Sequence, residues 1–370
     1  MKKIFLVSMV LFALLLSNHL HAQSSEPTWL VKPTLEYKNV GNFSEGLAWV
    51  MSNGKVGFID KTGKEVTPIK YDEVYNFSGG LASVKLNDKW GCIDKTGKEV
   101  IPTKYKFELI FSEGLARVIS GDKYGIIDKT GKEVIPFGRY EYAENFSEGL
   151  AKVQLNSKYG FIDKTGKNVI QMQYKIAKNF SGGLAMVALE GKSMYYIDKA
   201  GKEIMPVKYM NSTSFIEGLA LVGLNDKYGF IDNIGKEVTP IKYEKAGNFS
   251  GGLAAVKLDG KWGFVDKTGN EVIPTNYEDI DNFSDGLALA KLDGKWAFID
   301  KTGKKIIPIN YQKVWHFSGG LAAVASNNKF GCIDKTGKEV IPFKYDQIGD
   351  CSDGVVLLKI NGKWGIAKKP

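Results

Sequence analysis

Histidine and cysteine are scarce in this chain, arginine is almost missing, and no long apolar run follows the first residues. Two of the three histidines, His19 and His21, lie in the first 22 residues, which leaves His316 alone in the rest. A lone histidine with no close cysteine spacing does not make a zinc site, and no serine or cysteine nucleophile motif accompanies it. The three cysteines, Cys92, Cys332 and Cys351, are odd in number and scattered, so they do not read as a disulfide framework. Only Arg117 and Arg139 carry a guanidinium. A reader of phosphate or base edges would use that planar fork far more often, so nucleic acid is not an expected partner. Beyond the N-terminal stretch no segment approaches about 18 apolar residues, the length of a membrane span.

The first residues have the order of a secretory signal. Lys2 and Lys3 precede an apolar stretch from Ile4 to Leu16, then a polar segment leads to Ala22-Gln23. Cleavage after Ala22 is expected, giving a signal peptide at 1–22 and an exported chain at 23–370, periplasmic, cell-surface or extracellular. No cysteine near that point could be acylated. Losing Lys2 and Lys3 lowers the formal charge from +9 to +7, a mild basicity read as solubility.

What the chain does have is repetition. A phenylalanine opens a Phe-Ser-x-Gly-Leu-Ala segment at 43, 77, 111, 146, 180, 215, 249, 283 and 317, and Cys351 takes the tenth place. Gly46 and Tyr37 each begin a column that is invariant across ten units, ending at Gly354 and Tyr345. Invariance between units of one chain reports structural demand.

Within the unit from Phe249, Leu253–Leu258 and Lys261–Val265 read as a hairpin across an Asp259-Gly260 turn. Asp266-Lys-Thr-Gly-Asn270 reads as a second turn, with the Asp266 carboxylate accepting from backbone N–H groups and Gly269 at positive φ. Glu271–Ile273 is expected as a third strand halted by Pro274, and Tyr277–Phe283 as a short fourth. The fold class is all-β: about ten antiparallel meanders of 34 residues that must stack to bury their faces, forming one or more propeller-like rings or an open β-superhelix. One array is expected, with a half-unit at 29–42, full units over 43–350 and a half-unit at 351–370. The two halves complement each other, as in a ring closed by its own termini.

The run Lys261-Trp-Gly-Phe-Val-Asp-Lys-Thr-Gly269, with Leu253-Ala254 before it and Pro274 and Tyr277 after it, resembles the bacterial WG (KWG) β-repeat family. Trp90-Gly91 and Trp364-Gly365 keep the dipeptide, Tyr124-Gly125 and Phe330-Gly331 vary the aromatic, and Trp296-Ala297 replaces the glycine. The resemblance covers about residues 30–370. It implies a repeat scaffold and supplies no general catalytic motif.

The aspartate column that includes Asp60 and Asp266 is read as turn capping rather than calcium binding, because lysines surround each carboxylate. The Lys-Thr-Gly-Lys turns read as solvated, their charge cancelled by the glutamates that follow. The cysteines stand in apolar columns and read as core thiols without an obligatory disulfide. No catalytic, cofactor or metal-ligating residue is assigned, and no cofactor is expected. Ligand contacts are sought where a unit carries an aromatic that its column does not require: Trp49, Tyr75 and Trp315. Unit five, with Met194-Tyr195-Tyr196 in place of the aromatic-Gly pair, departs furthest. The functional expectation is an exported non-enzymatic scaffold that binds a protein or a glycan at the cell envelope. The alternatives are a propeller-type carbohydrate-active enzyme, which needs two facing carboxylates, and a purely structural envelope component.

Overall fold

A computed structural model describes residues 26–370 apart from 208, 210 and 214; the expected signal peptide lies outside the described residues. Among the described residues, forty strands form ten four-stranded antiparallel sheets, each a blade. No helix among the described residues is long and apolar enough to cross a membrane.

Blade 7 shows why the repeat folds as it does. Its strands are Lys245–Ala246, Leu253–Leu258, Lys261–Asp266 and Glu271–Tyr277, paired in that order. Asp259 and Gly260 both have positive φ, the two-residue turn whose twist matches a hairpin. In the second turn, Asp266 Oδ1 accepts from Thr268 N, Thr268 Oγ1 and Asn270 N at 2.7–2.9 Å, so the carboxylate is a turn cap.

Two expectations are corrected. The strand beginning at Glu271 is not halted by Pro274; it runs on to Tyr277. It is the edge of its blade, and its register with the third strand slips between Trp262↔Tyr277 and Phe264↔Ile273, so the missing N–H interrupts no ladder. The short strand after the tyrosine belongs to the next blade: Asp279–Ile280 pairs with Leu287–Leu292. A blade therefore runs from just after one tyrosine to the next: blade 1 from Asn39 to Tyr71, blade 2 from Glu73 to Tyr105, and so on.

The glycine columns have different causes. At Gly46 and its nine equivalents φ lies between 74° and 92°, and a Cβ there would meet nothing within 4 Å, so backbone conformation alone demands glycine. At Gly263 a Cβ would stand 2.5 Å from the Ile273 carbonyl oxygen, so close approach of the edge strand demands it. Where Ala297 occupies that second column, the edge strand shortens to Lys305–Pro308.

Ten core clusters lie one at each junction between blades. One joins Val355, Leu357, Trp364 and Ile366 of blade 10 to Phe43, Ala48, Val50 and Ile59 of blade 1, so the array is a single closed ring. Blade 10 is made from both chain ends: Trp29–Leu35 pairs antiparallel with Lys363–Lys368.

The turns add a polar belt. Glu45 of blade 1 accepts from Gly79 N (2.6 Å) and Gly80 N (3.0 Å) of blade 2, and Lys95 of blade 2 reaches it at 3.0 Å. Glu148 with Lys199 and Glu217 with Lys267 repeat this arrangement. Where the turn residue is glycine, the lysine donates to its carbonyl instead, as Lys129 does to Gly79 at 2.8 Å. The first lysine of each such turn is thus a tie to the preceding blade, a role that local charge counting did not reveal. Lys95 foremost, with the two glycine N–H groups, holds the Glu45 carboxyl below its ordinary range. Blade 6 carries Asn233 in the lysine's place.

The invariant tyrosine also works between blades. Tyr37 Oη donates to Glu65 Oε1 (3.1 Å), Tyr140 Oη to Asn168 Oδ1 (3.2 Å) and Tyr209 Oη to Glu237 Oε1 (3.3 Å), in each case the first residue of the next blade's edge strand. At Tyr345 that edge strand is the N-terminal one, and the buried hydroxyl has no partner among the described residues. Tyr140→Phe is expected to cost about 0.5–1.5 kcal/mol, whereas Tyr345→Phe should be neutral or stabilising. Urea unfolding midpoints compare the two, and an equal loss in both would contradict this account.

Removal of residues 26–35 unpairs Lys363–Lys368 and opens the ring. Hydrogen exchange is expected to quicken in all blades, with increased self-association. Fraying confined to blades 10 and 1 would instead mean that each junction stands alone.

Candidate functional site

The first strands touch one another from blade to blade. Asn42 Nδ2 donates to Asp350 Oδ2 (2.7 Å), Asn179 Nδ2 to Glu144 Oε2 (2.6 Å), and His316 Nε2 lies 3.1 Å from Asp281 Oδ2. Short side chains meet here, whereas the fourth strands are bridged by the long tyrosine; the blades therefore converge at their first strands, which line the inner rim of the ring.

At the rim, the residue third from the start of the first strand, which in blades 1, 2 and 4 lies just past that strand's two-residue end, faces the third residue of the second. In blade 1 these are Gly41 and Trp49, with Gly41 N donating to the Trp49 carbonyl (2.8 Å). In blade 2 they are Tyr75 and Ser83, paired in the same way at 2.9 Å. In blade 4 Glu144 meets Lys152 at 2.9 Å. In blade 9 Trp315 and Ala323 hold the two positions. The three aromatics singled out in the sequence are therefore the large members of one cross-strand pair, contributed from either strand.

Their surroundings differ. Trp49 is half-buried among residues of blades 1 and 2, and its indole fills the place where a Gly41 side chain would stand. The scaffold makes use of it. Tyr75 is 50 % exposed and leans on Trp90, ring centroids 5.6 Å apart. Trp315 is 42 % exposed and leans on Phe330, also at 5.6 Å. Around the rim, Trp315 and Tyr75 flank the glycines of blades 10 and 1, Gly349 and Gly41.

Blade 3 holds what the columns did not single out. Six of the ten units place asparagine just before the opening phenylalanine, as at Asn76 and Asn145; unit three places Ile110 there. Asn145 Oδ1 accepts from Arg117 N (2.9 Å), a bond isoleucine cannot make. Ser83 Oγ instead accepts from Leu109 N (3.1 Å), and Leu109 turns into the core. The usual first-strand pairing is lost, and only Phe111–Ser112 pairs, next to the turn. Phe107 and Ile110 are left 45 % and 54 % exposed, and Ile110 shares a recess with Tyr75. A recess of about 290 Å³ opens between blades 2 and 3, lined among others by Tyr75, Ser83, Cys92, Leu109, Ile110 and Phe111. Burial pushes the Cys92 thiol up to about 12, so it lines the recess as an unreactive apolar surface. The signal in the sequence was the isoleucine in an asparagine column.

The neighbouring blade 4 is polar at the rim. Burial pushes the Glu144 carboxyl up, but hydrogen bonds with Lys152, Tyr142 and Asn179 outweigh it and hold the group below its ordinary range. Burial, then the bond to Glu144, raises the Tyr142 phenol to about 12. A shallower recess of about 260 Å³ lies between blades 5 and 6, where Tyr196 packs on Phe215 at 5.8 Å. Among the described residues no group of three or more His, Cys, Asp or Glu side chains is placed to hold a metal ion.

Ten radially repeated four-stranded sheets closed by the chain's own ends define a ten-bladed β-propeller. The model of the WG containing repeat matches this sequence ten times, at residues 28–55, 57–90, 90–124, 124–159, 159–192, 196–228, 228–262, 262–296, 296–330 and 330–364. The chain belongs to the WG-repeat family. No curated protein matches it. Among solved structures, it is similar to a eukaryotic initiation factor at 12 % identity and TM-score 0.49, over 77 % of this chain and 90 % of that one. It is similar to BamB from Moraxella catarrhalis at 14 % identity and TM-score 0.39, over 76 % and 95 %. PorZ, a surface component of the type-IX secretion system of Porphyromonas gingivalis, gives 9 % and 0.30, over 91 % and 56 %. Likenesses at these scores carry no argument about this chain's role.

Trp49→Ala is expected to cost about 1–3 kcal/mol, because it uncovers Gly41 and removes packing between blades. Tyr75→Ala should stay within about 0.5 kcal/mol. Chemical denaturation of both variants checks this, and a reversed order would make Tyr75 the structural residue.

Proposed function

We propose that this protein is an exported, non-enzymatic scaffold that binds a protein or a glycan of the cell envelope at the inner rim of its ring, around blades 1–3. The observation that carries the reading is the pair Tyr75 and Ile110, which share one recess. Both are large and exposed; Ile110 stands where every other unit places a polar residue, and Tyr75 where most place a polar residue or glycine. Each is free of the packing roles that explain the invariant columns. Trp315, across Gly349 and Gly41, extends the surface to a second aromatic. Export rests on the N-terminal order of charge, apolar stretch and small residue. The one rim carboxylate with a strongly organised surrounding, Glu144, is held ionised by Lys152. That suits anchoring of the rim better than proton donation to a glycosidic oxygen.

The test places the protein and a Tyr75→Ala, Ile110→Asn double variant on a glycan array and in pull-downs from envelope material. A component retained by the parent and weakened about thirtyfold or more in the double variant is the expected result. Equal retention by both proteins would move the contact elsewhere on the ring. Cleavage of an arrayed glycan would replace the scaffold reading with the enzymatic one.

A further inference from the structure

Six junctions of the ring are made by one recurring contact. An aromatic on the third strand of one blade meets the opening phenylalanine of the next: Phe58 with Phe77 at 4.9 Å between centroids, Phe161 with Phe180 at 4.8 Å, Phe230 with Phe249 at 4.8 Å, Phe264 with Phe283 at 4.7 Å, Phe298 with Phe317 at 4.7 Å and Tyr196 with Phe215 at 5.8 Å. Between blades 9 and 10 both members of that contact are cysteine. Cys332 is 1 % exposed and Cys351 half-buried; they lie in one cluster, and both are thiols. Cys92 supplies an internal comparison. It occupies the same column as Cys332, but its neighbour across the junction is Phe111, and its thiol has only Ser83 beside it.

A single cysteine in either column is an ordinary small core residue. Two that replace both halves of one contact give up most of the volume a phenylalanine pair would fill. In exchange they bring two sulfurs together across a junction. The two thiols are also unequal. The contact with Cys351 and then burial raise the Cys332 thiol, while the contact with Cys332, aided by the Lys369 ammonium, lowers that of Cys351. The more accessible sulfur is therefore the better nucleophile. The setting adds a third observation. The three buried polar atoms without a partner among the described residues, Tyr345 Oη, Ser352 Oγ and Trp364 Nε1, all lie in blade 10 or at its border. The closure blade is the least satisfied part of the ring.

We propose that Cys332 and Cys351 form a reversible disulfide that staples blade 9 to blade 10, beside the strand pairing that closes the ring. The oxidant is a small disulfide such as oxidised glutathione. The Cys351 thiolate attacks one of its sulfurs, forming a mixed disulfide and expelling one thiolate, which takes up a proton. Cys332 then loses its proton and attacks the Cys351 sulfur, expelling the second thiol. One disulfide forms and one is consumed; two electrons pass to the oxidant, and both protein thiol protons end on the released thiols. The proposal is independent of any ligand at the rim.

The full chain is equilibrated in glutathione buffers of different redox poise, alkylated, and mapped by mass spectrometry. In oxidising buffer the Cys332 and Cys351 peptides are expected to be joined while Cys92 remains alkylated. The Tm should rise by a few degrees and return on reduction. All three thiols still alkylated, or a glutathione adduct resting on Cys351 with no bridge, overturns the proposal. Cys351→Phe restores one half of the aromatic contact and removes the bridge, so its Tm should be the same in both buffers. A redox-dependent shift that persists in that variant also overturns it. Should Cys351→Phe fail to fold, Cys351→Ser serves in its place with the same expectation.

Discussion

No blade of this protein can bury its own faces, so everything rests on the contact between one blade and the next. That contact is a large side chain on a third strand set against the phenylalanine that opens the following blade, with an alanine and valine of the second strand completing the cluster. Burial of one such side chain contributes about 1.5–3 kcal/mol, and an edge-to-face aromatic pair about 0.5–1.5 kcal/mol more. The turn glycines, the capping aspartates and the glutamate–lysine ties each serve to hold the next blade where this contact can form.

The fold was largely legible because the chain contains its own comparison. Ten units in one sequence separate what the architecture demands from what one blade happens to carry. The turns at Asp259-Gly260 and Asp266–Asn270 were readable from residue types, because their geometry is local. Strand ends were not. Pro274 reads as a stop, yet an edge strand asks nothing of its N–H on the open side. The short strand before Phe283 joins the blade that follows because hydrogen bonding, not sequence proximity, assigns it.

The candidate site was partly legible. Columns compared one at a time pick out Tyr75 and Trp315 as residues that nothing demands. They also pick out Trp49, whose reason for being large is Gly41, eight positions away and directly opposite. Ile110 passes as one more apolar residue until the asparagine it replaces is known to accept a backbone bond. The partnership of Cys332 and Cys351 shows the same limit: each column is plain alone, and only the junction relates them. Relations between columns, rather than the columns themselves, were what the sequence concealed.

The use of both chain ends in blade 10 has a consequence for how the molecule comes into being. Trp29–Leu35 is synthesised well ahead of its partner, Lys363–Lys368. Until Lys363–Lys368 arrives, blade 1 presents a bare apolar flank, and Trp29–Leu35 has nowhere to go. Loop-closure entropy grows only slowly with length, about 0.6 kcal/mol for each doubling, so distance along the chain is a small thermodynamic obstacle. It is a larger kinetic one, because an exposed flank and an unpaired strand invite the wrong neighbour, including a second nascent copy. Closure of the ring is therefore an all-or-nothing event: nine blades can stack in order of appearance, but the ring has no finished edge until Lys363–Lys368 meets Trp29–Leu35.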